Sequence, residues 1–217
     1  MNKDWERHWS NLKEDSGFGK ILKSYRENII ANAVAFYINK YFPKKGICIE
    51  CGSGSSQTTV KVKKCKRTLI AIDLSESALK KAKKVKQIDK TIKADIFKLP
   101  FKDSSIDGIW NLGVMEHFTL EEIEKALKEF SRVLKSGSYA ILFWPPLNGH
   151  YHFSTNTIEF IANKVFRKNI DLFPDEINLF SKKLNIKERA KNSGFRSCKV
   201  EYSFRDWFTH AIVICRK

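Results

Sequence analysis

Two glycines separated by one residue close a short apolar run in Glu50-Cys51-Gly52-Ser53-Gly54-Ser55-Ser56. Glycines there let the backbone turn tightly and approach a ligand closely, and the helix expected next offers unpaired N–H groups. A dinucleotide fingerprint needs a third small residue three places after the second glycine, and Gln57 stands there instead. Further along, His150 and His152 flank Tyr151 on a loop loosened by Gly149. That cluster suits a base beside an aromatic wall, and it reads equally as an ordinary polar loop. Cys48 and Cys51 form a C-x-x-C with no second pair nearby, in what reads as a buried strand and its turn. Metal or redox work is not expected of them.

These residues need elements to hold them. From Ile21 to Phe42 apolar residues recur at helical spacing, and Pro43 stops the pattern. A polar, aromatic segment, Trp5 to Gly19, precedes it. After Gly46, short apolar runs alternate with polar helices. Ile47–Cys51, Thr68–Asp73, Thr91–Asp95, Ile106–Leu112 and Ser138–Trp144 read as strands. Ser75 caps a helix with Ala78, Leu79, Ala82 and Val85 inside. Thr119 and Glu122 form a capping box for a helix expected through Lys135, with Gly137 to end it.

That alternation predicts an α/β, doubly wound, mostly parallel sheet. Near the end, Ser197–Phe204 and Thr209–Cys215 are separated by four residues, so they must pair antiparallel. The expected organisation is a single domain: a helical segment over residues 1–45, a core over 46–146, a cap insertion over 147–185, and a helix end with a β-hairpin over 186–217.

Composition bounds the reading. The chain has 217 residues, of which 42% are hydrophobic, enough for a full core in one domain. No apolar run approaches the roughly 18 residues of a membrane span, so no membrane partner is expected. The opening residues carry no signal-like apolar stretch, and five cysteines read as reduced thiols, so a cytoplasmic location is expected. The net charge of +16 points toward an anionic partner such as nucleic acid. Between Lys61 and Lys102, however, fourteen basic residues face four acidic ones, and almost all the cations are lysine. Solvated helix faces explain such an arc at least as well as a recognition surface.

With Glu50 two positions before the first glycine, the turn resembles motif I of class I S-adenosylmethionine-dependent methyltransferases, of the type 11 kind. That motif reads Asp/Glu-x-Gly-x-Gly-x-Gly, and Ser56 replaces its last glycine. Asp73 closes the second strand where the family holds both ribose hydroxyls, work suited to a carboxylate that accepts two hydrogen bonds. Asp95-Ile96 stands where the family meets the adenine amino group and a ring nitrogen, with Phe97 or Leu99 against the ring face. Asp103–Phe118 resembles the fourth-strand segment, down to Val114-Met115-Glu116-His117. Arg132-Val133-Leu134-Lys135-Ser136-Gly137-Ser138 resembles the Arg-Val-Leu-Lys-Pro-Gly-Gly turn.

The resemblance implies S-adenosyl-L-methionine as cofactor, bound by Glu50, Cys51, Gly52, Gly54, Asp73, Leu74, Asp95, Ile96 and Asn111. Arg26 is added as a grip on the methionine carboxylate, with Tyr25 beside it; a surface cation on an amphipathic helix is the competing reading. Asp73 has a plainer reading too, as a cap for the helix that follows. Some relatives of this fold bind a divalent cation through Glu-x-x-Glu-His, but Gly113 stands where the first Glu would be, so no metal is expected.

Methyl transfer from a sulfonium is an in-line displacement needing alignment and exclusion of water. A base is required only for an acceptor of high pKa, for which His150, Tyr151 and His152 are the candidates. The Asn/Asp/Ser-Pro-Pro-aromatic motif of exocyclic-amine methylation is missing after the fourth strand, where Asn111-Leu112-Gly113-Val114 stands. No cysteine lies between Cys65 and Cys198, which argues against carbon-5 pyrimidine chemistry. A small-molecule O or N acceptor is therefore expected. RNA or protein methylation with basic-surface docking is the alternative, and a non-catalytic donor-binding protein the third reading.

Overall fold

A computed structural model describes residues 5–11, 16–147 and 176–217. Seven strands form one sheet in the order β3-β2-β1-β4-β5-β7-β6: β1 (Lys45–Cys51), β2 (Lys66–Asp73), β3 (Lys90–Lys93), β4 (Ile106–Leu112), β5 (Leu134–Trp144), β6 (Ser197–Tyr202) and β7 (Ala211–Arg216). The first five are parallel, and β7 runs antiparallel between β5 and β6. This is the mixed, mostly parallel α/β sheet the alternation predicts. The order reverses beside β1, so β1 and β4 diverge into a crevice at their carboxyl ends, where open sheets of this kind bind ligands.

The central strands bury both faces, which is why their runs are almost continuously apolar. On one face Ile49, Ile72, Ile109, Leu142 and Trp144 pack with Ile123, Leu127 and Phe130 of α5 (Leu120–Val133) and with Ile186 and Ala190 of α6 (Ile186–Asn192). On the other, Leu69, Trp110, Ile141 and Phe143 meet Val34, Tyr37 and Ile38 of α3 (Ala31–Tyr41). The remaining helices are α1 (Trp5–Asn11), α2 (Gly17–Tyr25) and α4 (Glu76–Ala82).

Local signals explain most boundaries. Ser75 caps α4 by accepting from the Ala78 N–H at 3.1 Å, and Ala78, Leu79 and Ala82 are buried as expected. The Thr119–Glu122 capping box is present in both directions. Four expectations need correction. The helix expected over Ile21–Phe42 is broken by a π-helical turn, Arg26–Ile30. The glycine turn leads into a five-residue 3-10 helix, Gln57–Lys61, in place of the α-helix predicted. The helix expected to reach Lys135 stops at Val133, because Leu134 already pairs with Ile106 in the sheet. The five free thiols become three, since Cys198 and Cys215, opposite each other in the β6–β7 register, form a disulfide. Most of the expected cap over 147–185 lies outside the described residues, and among those that are described no helix is long and apolar enough to cross a membrane.

Candidate functional site

The carboxyl ends of β1, β2 and β4 converge on the glycine turn. Gly52 and Gly54 have φ of +65° and +50°, and Ser56 also sits in the left-handed region at +54°. A side chain at Gly52 would come within 2.7 Å of the Val114 Cγ2, and one at Gly54 would overlap the Trp9 indole. The room that the glycines leave is thus taken on one side by protein. Glu50 is buried beneath the turn and holds it, accepting from the Ser56 hydroxyl at 2.7 Å and the Thr59 hydroxyl at 3.0 Å. Burial pushes its carboxyl up to about 7 against the pull of those two donors.

Asp73 ends β2 with both oxygens engaged. The Gly54 N–H donates to its Oδ2 at 2.8 Å and the Ser75 N–H to its Oδ1 at 2.9 Å. Burial raises its pKa, partly offset by these backbone donors. Leu74 follows with 48% of its surface exposed, an apolar side chain left in solvent beside a carboxylate. Beyond β3, Asp95 is exposed and accepts from the Phe97 N–H at 2.9 Å, while Ile96 is buried. Phe97 lies edge-on to Phe118, ring centroids 5.0 Å apart.

Asn111 near the end of β4 is fully buried, and neither its amide nitrogen nor its oxygen has a hydrogen-bond partner. An unpaired buried amide costs about 1–3 kcal/mol, so such a group calls for an explanation. Arg26 opens the π-turn and reaches across to the turn region, its Nη1 3.5 Å from the Gln57 Oε1. π-Turns inside helices recur at functional sites. Gly52, Gly54, Asp73 and Leu74 are thus gathered at one turn, with Asn111 and Arg26 at its two sides. Cys51 contributes no accessible thiol: it is buried, and burial holds its pKa well above the ordinary value. Cys48 is likewise pushed up to about 12, so this C-x-x-C is a pair of neutral core thiols. Among the described residues no three His, Cys, Asp or Glu side chains converge as a metal site would require. His150, Tyr151 and His152 lie outside the described residues.

Two groups of residues were not singled out from sequence. In α1, Glu6 accepts from the Ser75 hydroxyl at 2.8 Å and from the Ser77 hydroxyl, and Trp5 lies edge-on to His117 at 5.0 Å. In the β6–β7 connection, His210 Nδ1 is 3.0 Å from the Asp206 carboxylate and 3.0 Å from the Thr209 hydroxyl, with all three buried. β6 runs parallel to β5, so this connection opens on the same carboxyl-end face as the glycine turn. The i, i+4 spacing of Asp206 and His210 was the available signal. Bulky Trp207 and Phe208 both take φ of +58° between them and stay about half exposed or more.

Residues 49–142 match the family model of the methyltransferase domain, Methyltransf_11. Those residues carry a methyltransferase domain, in the fold of class I methyltransferases. S-adenosyl-L-methionine is the methyl donor of this family, and the chain is a methyltransferase dependent on it. The match covers the strand ends of the glycine turn, Asp73, Asp95 and Asn111 and leaves out α1 through α3. MJ0638, an uncharacterized protein of Methanocaldococcus jannaschii, is 26% identical over 211 residues, 97% of this chain and 80% of its own. Among solved structures, a Methanococcus maripaludis protein (mmp1179) assigned to the S-adenosyl-L-methionine-dependent methyltransferases superposes with TM-score 0.67. It is 21% identical, covering 100% of this chain and 96% of its own. A Haloferax volcanii protein solved in complex with the Trm112 methyltransferase activator gives TM-score 0.67 at 12% identity, over 100% and 98%. At these identities the two structures speak for the fold.

Proposed function

We propose that the methyltransferase acts on a small-molecule acceptor through an oxygen or nitrogen, with the donor held at the glycine turn. The observation that carries the donor placement is Asn111, a fully buried amide with both polar atoms unpartnered at the crevice. A bound group with its own donors and acceptors removes that cost. Asp73 is the ribose ligand in this reading: each oxygen takes one backbone N–H and keeps a lone pair for a hydroxyl. Leu74 and Ile96 supply apolar surface for the base, Asp95 its polar contact, and Arg26 a bidentate partner for a carboxylate. Glu50 and Cys51 act through the turn, Glu50 by its bonds to Ser56 and Thr59.

When bound, the donor supplies an activated sulfonium methyl. The chain's part is to align the acceptor with it and to exclude water. The small-acceptor reading is supported by where the charge lies. The lysine arc belongs to β2, α4 and β3 at one edge of the sheet, whereas the β5–β7–β6 connections stand at the other. Several cations of the arc are also engaged internally: Arg67 bonds the Pro43 and Phe42 carbonyls, Lys93 pairs with Glu76 and Lys64 with Asp89. Because one structural neighbour was solved with an activator protein, assays belong both with and without a small partner of that kind.

The test is transfer of labelled methyl from the donor into a size-fractionated cell extract. Label confined to the low-mass fraction is expected. Label in RNA or protein would establish the docking alternative instead, and bound donor with no transfer would make this a binding protein.

A further inference from the structure

α1 lies outside the residues matched to the methyltransferase domain, yet it spans the ends of three strands that frame the donor site. At the β4 end, the Trp5 ring packs edge-on against His117. Over the end of β1, the Trp9 indole rests on Gly54, filling the space a Cβ would need. Beyond β2, Glu6 accepts from the Ser75 and Ser77 hydroxyls and from the Ser77 N–H at 3.3 Å. Lys81 of α4 donates to the Trp9 carbonyl at 3.3 Å and stands 5.7 Å from the centre of its ring.

The helix has seven residues, none fully buried. A helix so short is not stable alone in water, so these contacts are what hold it. They are specific in kind. Ser75 is at once the cap of α4, a donor to the Asp73 carboxylate through its N–H, and a donor to Glu6 through its hydroxyl. Glu6 is therefore two hydrogen bonds from the carboxylate assigned to the ribose. Those hydroxyl donors also pull its pKa down to about 2, which keeps it charged at any working pH.

We propose that α1 is the outer wall of the donor site, with Trp9 as a donor-contacting residue and Glu6 as the positioning residue that seats the helix. This rests on the donor placement above. Docking of α1 and binding of donor then stabilise each other, because each presents surface to the other. An indole lost from such a wall removes an aromatic contact, with roughly a threefold to tenfold change in affinity, about 0.7–1.4 kcal/mol.

The experiment measures the dissociation constant of S-adenosylhomocysteine by calorimetry for the full chain, Trp9→Ala, Glu6→Gln and Asp73→Ala, with a thermal melt of each donor-free protein. The expected result is a threefold to tenfold weakening in Trp9→Ala and Glu6→Gln at near-unchanged melting temperature. Residues 5–11 should also exchange amide hydrogens more slowly when ligand is present, a protection that Glu6→Gln diminishes. Unchanged affinity in both variants overturns the proposal. Tighter binding in either overturns it too, since α1 would then be occupying the donor's place. If Asp73→Ala binds as well as the full chain, the donor placement itself falls; if only that variant weakens, the failure is confined to α1.

Discussion

The two halves of the carboxyl-end face are finished to different degrees. On the β1–β2 side, no described buried side chain of the glycine turn has an unpartnered polar atom: Glu50 is met by Ser56 and Thr59, Asp73 by Gly54 and Ser75. On the β4–β5–β7 side, Asn111 lacks partners for both amide atoms, and Asp206 keeps one carboxylate oxygen unpaired while fully buried. One half is a self-contained scaffold. The other carries polar groups whose burial is a net cost until something joins them. Substitutions in the first half should therefore harm folding and binding together, whereas in the second they should separate the two.

The largest effect is expected at Gly52→Val. A β-branched residue at φ +65° is strained, and its side chain would run into Val114. A loss of about 3 kcal/mol or more is expected from strain and overpacking combined. A denaturant melt should show it, and calorimetry should show no binding of S-adenosylhomocysteine. A stable Gly52→Val protein that still binds would mean the turn is not the shared foundation of fold and site.

Glu50 gives a pH signature of similar size. Folded, its carboxyl keeps a proton up to about 7; unfolded, it releases it near its ordinary 4.5. Between those values the folded state binds more protons, so stability falls as pH rises through this window, and the loss is complete above it. The shift corresponds to about 3 kcal/mol. Glu50→Gln should flatten that slope, read as melting temperature against pH from 4 to 8. An unaltered slope would place the titration elsewhere.

The smallest effect has the opposite sign. Asn111→Leu replaces an unpartnered buried amide with an apolar side chain of similar size, and a gain of about 1–2 kcal/mol is expected for the ligand-free protein. Donor binding or methyl transfer should fall at the same time. Destabilisation by Asn111→Leu would erase the contrast between the halves.

The sequence carried the strands and their ends well, because each is a short apolar run closed by an acid or a glycine. Asp73 and Glu50 could be placed by that rule alone. It carried less where a tertiary contact overrides a local signal. Leu134 leaves its helix early because Ile106 offers a strand partner, which no local pattern in Arg132–Gly137 announces. Ser56 stands in the left-handed region ahead of a 3-10 turn, where the alternation of strands and helices suggested an α-helix. Trp5 and Trp9 stood out as aromatics in a polar segment, but their seats on His117 and Gly54 exist only once the sheet has assembled. Asp206 looked like a turn residue and His210 like part of the last strand, since their importance comes from the direction in which β6 arrives.

The short β3 has a consequence for how the protein behaves in a crowded solution. It is one of the two edge strands of the sheet, four residues long, with a lysine at each end. Exposed edges invite strands from other copies, and brevity and lysine charge are two ways to refuse them. The lysine arc of α4 and β3 thus sets a repulsive border around one of the two edges at which the sheet could grow by accretion. Part of the net charge of +16 therefore stands where it repels a second copy from that edge.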